Sequence, residues 1–207
     1  MLEEKRKKFK KIETLIGGIF SKLGLTPNQY TLISLFFVIL SFCSLVSVNL
    51  ILPEHINYVL GLALIFFLLA TILDFIDGAV AKFTQKETKK GAYLDTICDR
   101  YVEGVILLGF LFLPLKEFFL LPAQVWIFLA LFGSLITTYA KAAAKEKELT
   151  KIEIKKGLFG RAERIILISL AILLGIFNLS WMIYPIIVLA ILTNFTAFQR
   201  IYLALRD

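Results

Sequence analysis

Apolar residues run through this chain in six blocks: 31–51, 57–82, 92–114, 119–143, 161–179 and 181–205. Each comes close to or passes the roughly 20 residues that carry a helix across a bilayer. Residues 3–24 follow a different rhythm. Phe9, Ile12, Leu15, Ile16, Ile19, Phe20 and Leu23 recur at helical spacing, with lysines over much of the other face. That pattern predicts an amphipathic helix lying on the membrane surface. Gly24 ends it, and Thr26 and Pro27 stand where the N-cap and first position of the next helix belong. The expected fold is an all-α integral membrane protein: six transmembrane helices preceded by an amphipathic interfacial helix. It forms a single domain over 1–207, with the six-span bundle at 31–205.

Composition agrees with that pattern. Hydrophobic residues make up 58% and mean hydropathy is +0.81, against about 45–50% apolar in a soluble domain. The net charge of +7 matters less than where the cations lie. Of the 23 Lys and Arg, only Lys116 falls on one side of the expected membrane. The others lie before the first block, in 82–100, in 141–164 and at the C-terminal end. The positive-inside rule then places both termini in the cytoplasm of a multi-pass cell-membrane protein. The basic excess is read as inner-surface charge, with Lys147, Lys151, Lys155 and Lys156 as interfacial anchors, and no nucleic-acid partner is expected. The charged start MLEEKRKKFKK predicts no cleavable leader. Cys43 and Cys98 lie in apolar blocks and read as packed thiols rather than a disulfide. His55, the single histidine, falls in the expected outer turn and is given no ligand role.

Against this background the stretch LDFIDGAVAKFTQKETKKGAYLDTICDR, residues 73–100, stands out. Asp74 and Asp77 are three apart and share one helix face. Gly91, Asp95 and Asp99 are spaced by four and form a stripe on the following helix. The short turn between the two helices makes them antiparallel neighbours with facing acidic stripes. Carboxylates inside a membrane helix each cost on the order of 3 kcal/mol and normally mark a functional site. Four on facing stripes repel one another unless a cation intervenes. Aspartates without a His or Cys set suit Mg²⁺, Mn²⁺ or Ca²⁺ rather than zinc. Two metals bridged by such a set would clamp phosphate oxygens. A cation channel is the competing class. It would need polar residues across the whole membrane, whereas LGLALIFFLLA and VILLGFLFL provide none.

The full string is Asp74-x-x-Asp77-Gly78-x-x-Ala81-Lys82, eight residues, then Gly91-x-x-x-Asp95-x-x-x-Asp99. It resembles the signature of the CDP-alcohol phosphotransferases, membrane enzymes that join a CDP-lipid to an alcohol and release CMP. One position departs from the family, Lys82 standing where Arg is usual. Lys offers a point charge in place of a bidentate fork. The resemblance implies Asp74, Asp77, Asp95 and Asp99 as ligands of two Mg²⁺ or Mn²⁺ ions, with Asp99 also the catalytic base. It implies Asn28, Thr31, Gly78, Lys82 and Thr88 as contacts of the CDP-lipid, and a homodimer in membrane lipid.

The acceptor is approached through the remaining cations. Lys141, Arg161, Arg164 and Arg200 come from three helix ends and can converge beside the acids as a phosphate pocket. Ordinary interfacial anchoring explains Arg200 poorly, because mostly apolar residues follow it. A basic pocket calls for a small phosphorylated alcohol. GRAER and TAFQR resemble the branch that uses inositol 1-phosphate. Glycerol 3-phosphate is the nearest rival acceptor, then serine. Arg100, Glu103 and Glu163 are left unranked as candidate salt-bridge partners.

Overall fold

The structure, a computed structural model, describes residues 2–149 and 159–206, and the side chains of the first helix from Lys10 onward. Lys151, Lys155 and Lys156 lie outside the described residues. The described chain forms seven α-helices: α1 Leu2–Ser21, α2 Pro27–Ser47, α3 Ile56–Phe83, α4 Lys89–Leu111, α5 Ala123–Glu146, α6 Arg161–Phe177 and α7 Ile183–Arg206. Local signals set their starts. At α2, Thr26 is extended, Pro27 opens the first turn, and Gln29 Oε1 accepts the Thr26 N–H at 2.7 Å. Thr88 caps α4, its hydroxyl oxygen accepting the Gly91 N–H at 2.9 Å. At α6, the Gly160 N–H reaches Glu163 Oε2 at 2.9 Å. Glu163 therefore closes a helix end and forms no part of a pocket salt bridge among the described contacts.

Four of these elements are long and apolar enough to cross a membrane: Pro27–Leu50, Pro53–Phe83, Ala123–Glu146 and Leu179–Arg206. Of the other three helices, α1 is charged along its first half, α4 carries acids and an arginine in its first half, and α6 has 17 residues. The outside of the bundle is apolar, with Phe36, Ile39, Ile65, Ile72, Phe132 and Phe195 among its exposed side chains. A surface of that kind is solvated by lipid. Inside, Phe67, Phe110, Leu60, Ile106, Ile172 and Ile186 belong to one buried core. Short polar side chains tie helices together there. Ser41 donates to the Ala63 carbonyl at 2.7 Å and Thr137 to the Thr193 carbonyl at 2.9 Å.

Two expectations need correction. The block 119–143 becomes helical only at Ala123. Pro122 bars helical backbone at the residue before it, and Phe119 and Leu120 turn at φ 50° and 62°. The helices α3 and α4 are joined by the turn 84–88 but do not pack along their lengths. Instead α2 packs against both, α3 also meets α1 and α6, and α4 meets α5. Asp74 still meets Asp95 and Asp99, at the end of the bundle where the turn joins the two helices.

At the acidic end, α1 docks on α3. Gly17 lies so close to the Ala79 carbonyl that a Cβ there would collide with it. Ile16 and Phe20 pack with Tyr30, Ile76 and Val80, and the Tyr30 hydroxyl donates to the Phe20 carbonyl at 2.8 Å. Ile12, Leu15, Ile19 and Leu23 remain exposed.

Candidate active site

Asp74 of α3 and Asp95 and Asp99 of α4 each offer a carboxylate oxygen, and the three oxygens lie within 4.8 Å of one another. Asp74 Oδ1 is buried with no hydrogen-bond partner among the described residues. This all-oxygen donor set, with an oxygen free to ligate, fits a divalent cation of the Mg²⁺ or Mn²⁺ type. Asp77, expected in the same set, is buried and turned to one side, its Oδ2 accepting the Thr31 hydroxyl at 2.5 Å. Thr31, expected to face the CDP-lipid, thus fixes an acid of the cluster while also lining the cavity described below.

Basic residues fill the space next to the acids. Arg161, the first residue of α6, reaches into the cluster. Its Nη1 lies 2.7 Å from Asp74 Oδ2 and its Nη2 2.6 Å from Asp99 Oδ1. Arg164, one turn on, is buried and gives Nε and Nη2 to Glu103 Oε1 at 3.1 and 2.9 Å. Arg100 lies between these pairs, with Nη2 3.5 Å from Asp99 Oδ2 and 3.9 Å from Glu103 Oε1 and Nη1 donating to the Thr138 hydroxyl. Arg200 Nη1 donates to the Thr137 carbonyl at 2.7 Å, and Lys141 follows one turn later on α5. Of the four expected cations, Arg161 and Arg164 of α6 meet the acids, while Arg200 of α7 is held by the α5 backbone. Two of them differ in detail: Arg161 sits among the metal-type ligands, and Arg164 is committed to a carboxylate.

Sequence reasoning left Glu103 and Arg100 unranked, yet both are central. The signal for Glu103 was available, since it continues the Gly91, Asp95, Asp99 stripe by one more turn. It is 2% exposed. A carboxylate so deep needs a cation, and it takes Arg164. The guanidinium nitrogens Nε of Arg100, Arg161 and Arg200 are buried without hydrogen-bond partners among the described residues. Buried guanidinium donors left unused in this way suit an anion with several acceptor oxygens.

Beside the cluster opens a cavity of about 470 Å³. Asn28, Thr31, Gly78, Lys82 and Thr88, the five expected CDP-lipid contacts, all line it. Asp95 belongs to both the cavity wall and the carboxylate cluster. The first turns of α2 and α4 both border this space, and free N–H groups at helix starts favour anions. Gly78 faces open space, and at Gly91 an added Cβ would stand 3.4 Å from Asn28 Oδ1. Small residues thus keep the wall clear for a ligand. Lys82 is not idle: its Nζ pairs with Glu13 Oε1 of α1 at 2.5 Å.

Comparison with known proteins agrees with this geometry. The profile of the family described as CDP-alcohol phosphatidyltransferase matches residues 24–196. An archaetidylinositol phosphate synthase of Pyrococcus horikoshii is 32% identical over 202 residues, covering 98% of this chain and 95% of that protein. A bifunctional IPC transferase and DIPP synthase of Aquifex aeolicus is 34% identical over 186 residues. That match covers 86% of this chain, which spans only 38% of the relative's length. Among solved structures, the phosphatidylinositol phosphate synthase of Mycobacterium tuberculosis with CDP-DAG bound superposes with a TM-score of 0.69 at 23% identity, covering 94% of both chains. A complex of the same enzyme with manganese and citrate gives 0.69 at 22% identity, over 93% of this chain and 88% of that one. At these identities the likeness speaks for the fold. The profile match and the near full-length Pyrococcus relative speak for ancestry: the chain belongs to the CDP-alcohol phosphatidyltransferase family.

Proposed function

We propose that this protein transfers the phosphatidyl or archaetidyl group of a CDP-lipid to the hydroxyl of inositol 1-phosphate and releases CMP. The observation that carries the reading is the meeting at Asp95 of a carboxylate cluster and a cavity lined by the signature residues. The Pyrococcus relative, named as an archaetidylinositol phosphate synthase, supports the choice of acceptor.

Asn28, Thr31, Gly78, Lys82 and Thr88 would hold the cytidine diphosphate in the cavity, with Lys82 on the diphosphate. Divalent cations, two ions of Mg²⁺ or Mn²⁺ held by Asp74, Asp77, Asp95 and Asp99, would supply charge neutralisation for the diphosphate and the departing CMP. Asp99 takes the proton of the acceptor hydroxyl, whose oxygen forms the new bond to the β-phosphorus as the bond to CMP breaks. Thr31 fixes the carboxylate of Asp77. Arg161, Arg164, Arg200 and Lys141 would bind the phosphate of the acceptor, joined by Arg100, and the unused Nε donors support that assignment. Glu103 orients Arg164 within this group.

The same reading takes the chain as one domain with six spans, α4 and α6 included, and α1 as the interfacial helix. The exposed apolar face of α1 supports the last point. Both termini and the site face the cytoplasm, and the protein acts as a homodimer. A nucleotide in water and lipid tails in the bilayer call for a site of this depth.

The test is CMP release by purified protein given a CDP-lipid, diacyl or archaeal, and Mg²⁺, with inositol 1-phosphate, glycerol 3-phosphate, serine and free inositol tried separately. Release only with inositol 1-phosphate is expected. Release with serine or free inositol would overturn the phosphate pocket and leave the cation site standing. No release with any acceptor would overturn the activity.

A further inference from the structure

The guanidinium of Arg161 lies among the oxygens that would hold a cation. It bridges Asp74 Oδ2 and Asp99 Oδ1 at 2.7 and 2.6 Å, and both residues belong to the three-oxygen cluster. We propose that Arg161 is the internal counter-ion of this cluster, held there in exchange with the divalent cation, so that cation binding drives its guanidinium out toward the acceptor side. This rests on the cation site of the proposed function, and it adds a second role for Arg161.

Three considerations carry it. Asp74, Asp95 and Asp99 are close enough that their charges oppose one another, so the cluster needs a positive group whenever no metal ion is bound. Arg161 supplies one from the far end of a sequence separation of 87 residues. Helix stability does not explain its place, because a cation in the first turn opposes the helix dipole. The seating is also incomplete. Nε has no hydrogen-bond partner among the described residues, and Nη2 makes its ion pair outside hydrogen-bond geometry. A guanidinium that uses few of its five donors here is free to use them elsewhere.

A row of ion pairs lies next to it: Arg100 is 3.5 Å from Asp99 Oδ2, the oxygen Arg161 does not pair with, and Glu103 and Arg164 continue the row. A divalent ion at the carboxylates repels Arg161, which moves to that row and meets an incoming phosphate there. Cation loading and readiness for an anionic acceptor are thereby coupled through one side chain, and such coupling is reciprocal.

Mn²⁺ binding to the purified full chain in detergent, followed by the loss of the free-ion electron paramagnetic resonance signal, tests this without substrate or turnover. Arg161→Gln should bind Mn²⁺ about tenfold tighter than the parent, since one opposing charge at close range is removed. Without metal, its melting temperature should fall by roughly 5 °C or more. Mn²⁺ should restore more of that loss than it adds to the parent. Arg161→Lys keeps the charge, folds more readily and lacks the two-pronged bridge, so its affinity should lie between the other two. Unchanged or weaker Mn²⁺ binding in both variants would overturn the exchange while leaving the cation site intact. A parent chain that binds no Mn²⁺ would overturn the cation site itself, and the exchange with it.

Discussion

The two ends of the bundle are built on opposite principles. Away from the acids, Leu60, Phe67, Ile106, Phe110, Ile172 and Ile186 interlock with almost no exposure. Ser41 and Thr193, buried there, are satisfied by backbone carbonyls. At the acidic end, Asp77, Asp99, Glu103 and Arg164 are buried too, yet Asp74 Oδ1, Asp99 Oδ1, Glu103 Oε2 and four guanidinium nitrogens lack hydrogen-bond partners among the described residues. One end is finished as folded. The other holds charge in excess of its internal pairings, the condition expected of a site completed by ligands. Stability and chemistry are therefore separable along the same helices, since α3, α4 and α6 each contribute to both ends.

That contrast can be broken at either end. Asp99→Asn should lower CMP release by about 10³-fold or more, as expected for loss of a base that is also a cation ligand. The variant should still purify as a folded protein. Wild-type turnover in Asp99→Asn would sink the assigned role. At the other end, Phe67→Ala should lose about 3–5 kcal/mol of stability through the cavity it leaves. Measured by denaturant titration in micelles beside steady-state kinetics, it should keep the parent KM for CDP-lipid. A shifted KM would show that the two ends are mechanically linked.

Glu103→Gln sharpens the comparison, because Glu103 is as buried as a core residue while belonging to the charged end. Leaving Arg164 and Arg100 without their carboxylate should cost about 3 kcal/mol. Adding Arg164→Met should recover much of it. A core role alone would leave the acceptor KM unmoved, whereas the positioning role raises it. The smallest effect belongs to the pair between α1 and α3. Glu13→Gln should change stability by at most about 1 kcal/mol, because water screens a lysine whose side chain is 56% exposed. A larger loss would mean that α1 is anchored mainly by this pair and not by Gly17, Phe20 and Tyr30.

Much of the site was legible along the chain because helical spacing reports a shared face directly. Asp95 and Asp99 point together for that reason, and Glu103 could have been added by the same rule. Thr26, Pro27 and Gln29 announced the start of α2 through local chemistry. Other features were beyond this reach. Phe119 and Leu120 read as helical by hydropathy, and the proline after them decided otherwise. Thr31 appeared to be a ligand contact by resemblance, and only the approach of α2 to α3 gives its hydroxyl to Asp77.

The sequence by itself determined that this is an all-helical membrane protein with acids at one end of two successive helices and cations at the ends of three others. Those properties follow from hydropathy and from periods within single elements. Only the tertiary structure decided which charges meet. Arg161 crosses 87 residues to Asp74, and Arg164 crosses 61 to Glu103. Any arginine suits any aspartate in sequence, and the choice between them is made when α2 packs against both α3 and α4 and α6 packs against α3, bringing the start of α6 to the acids.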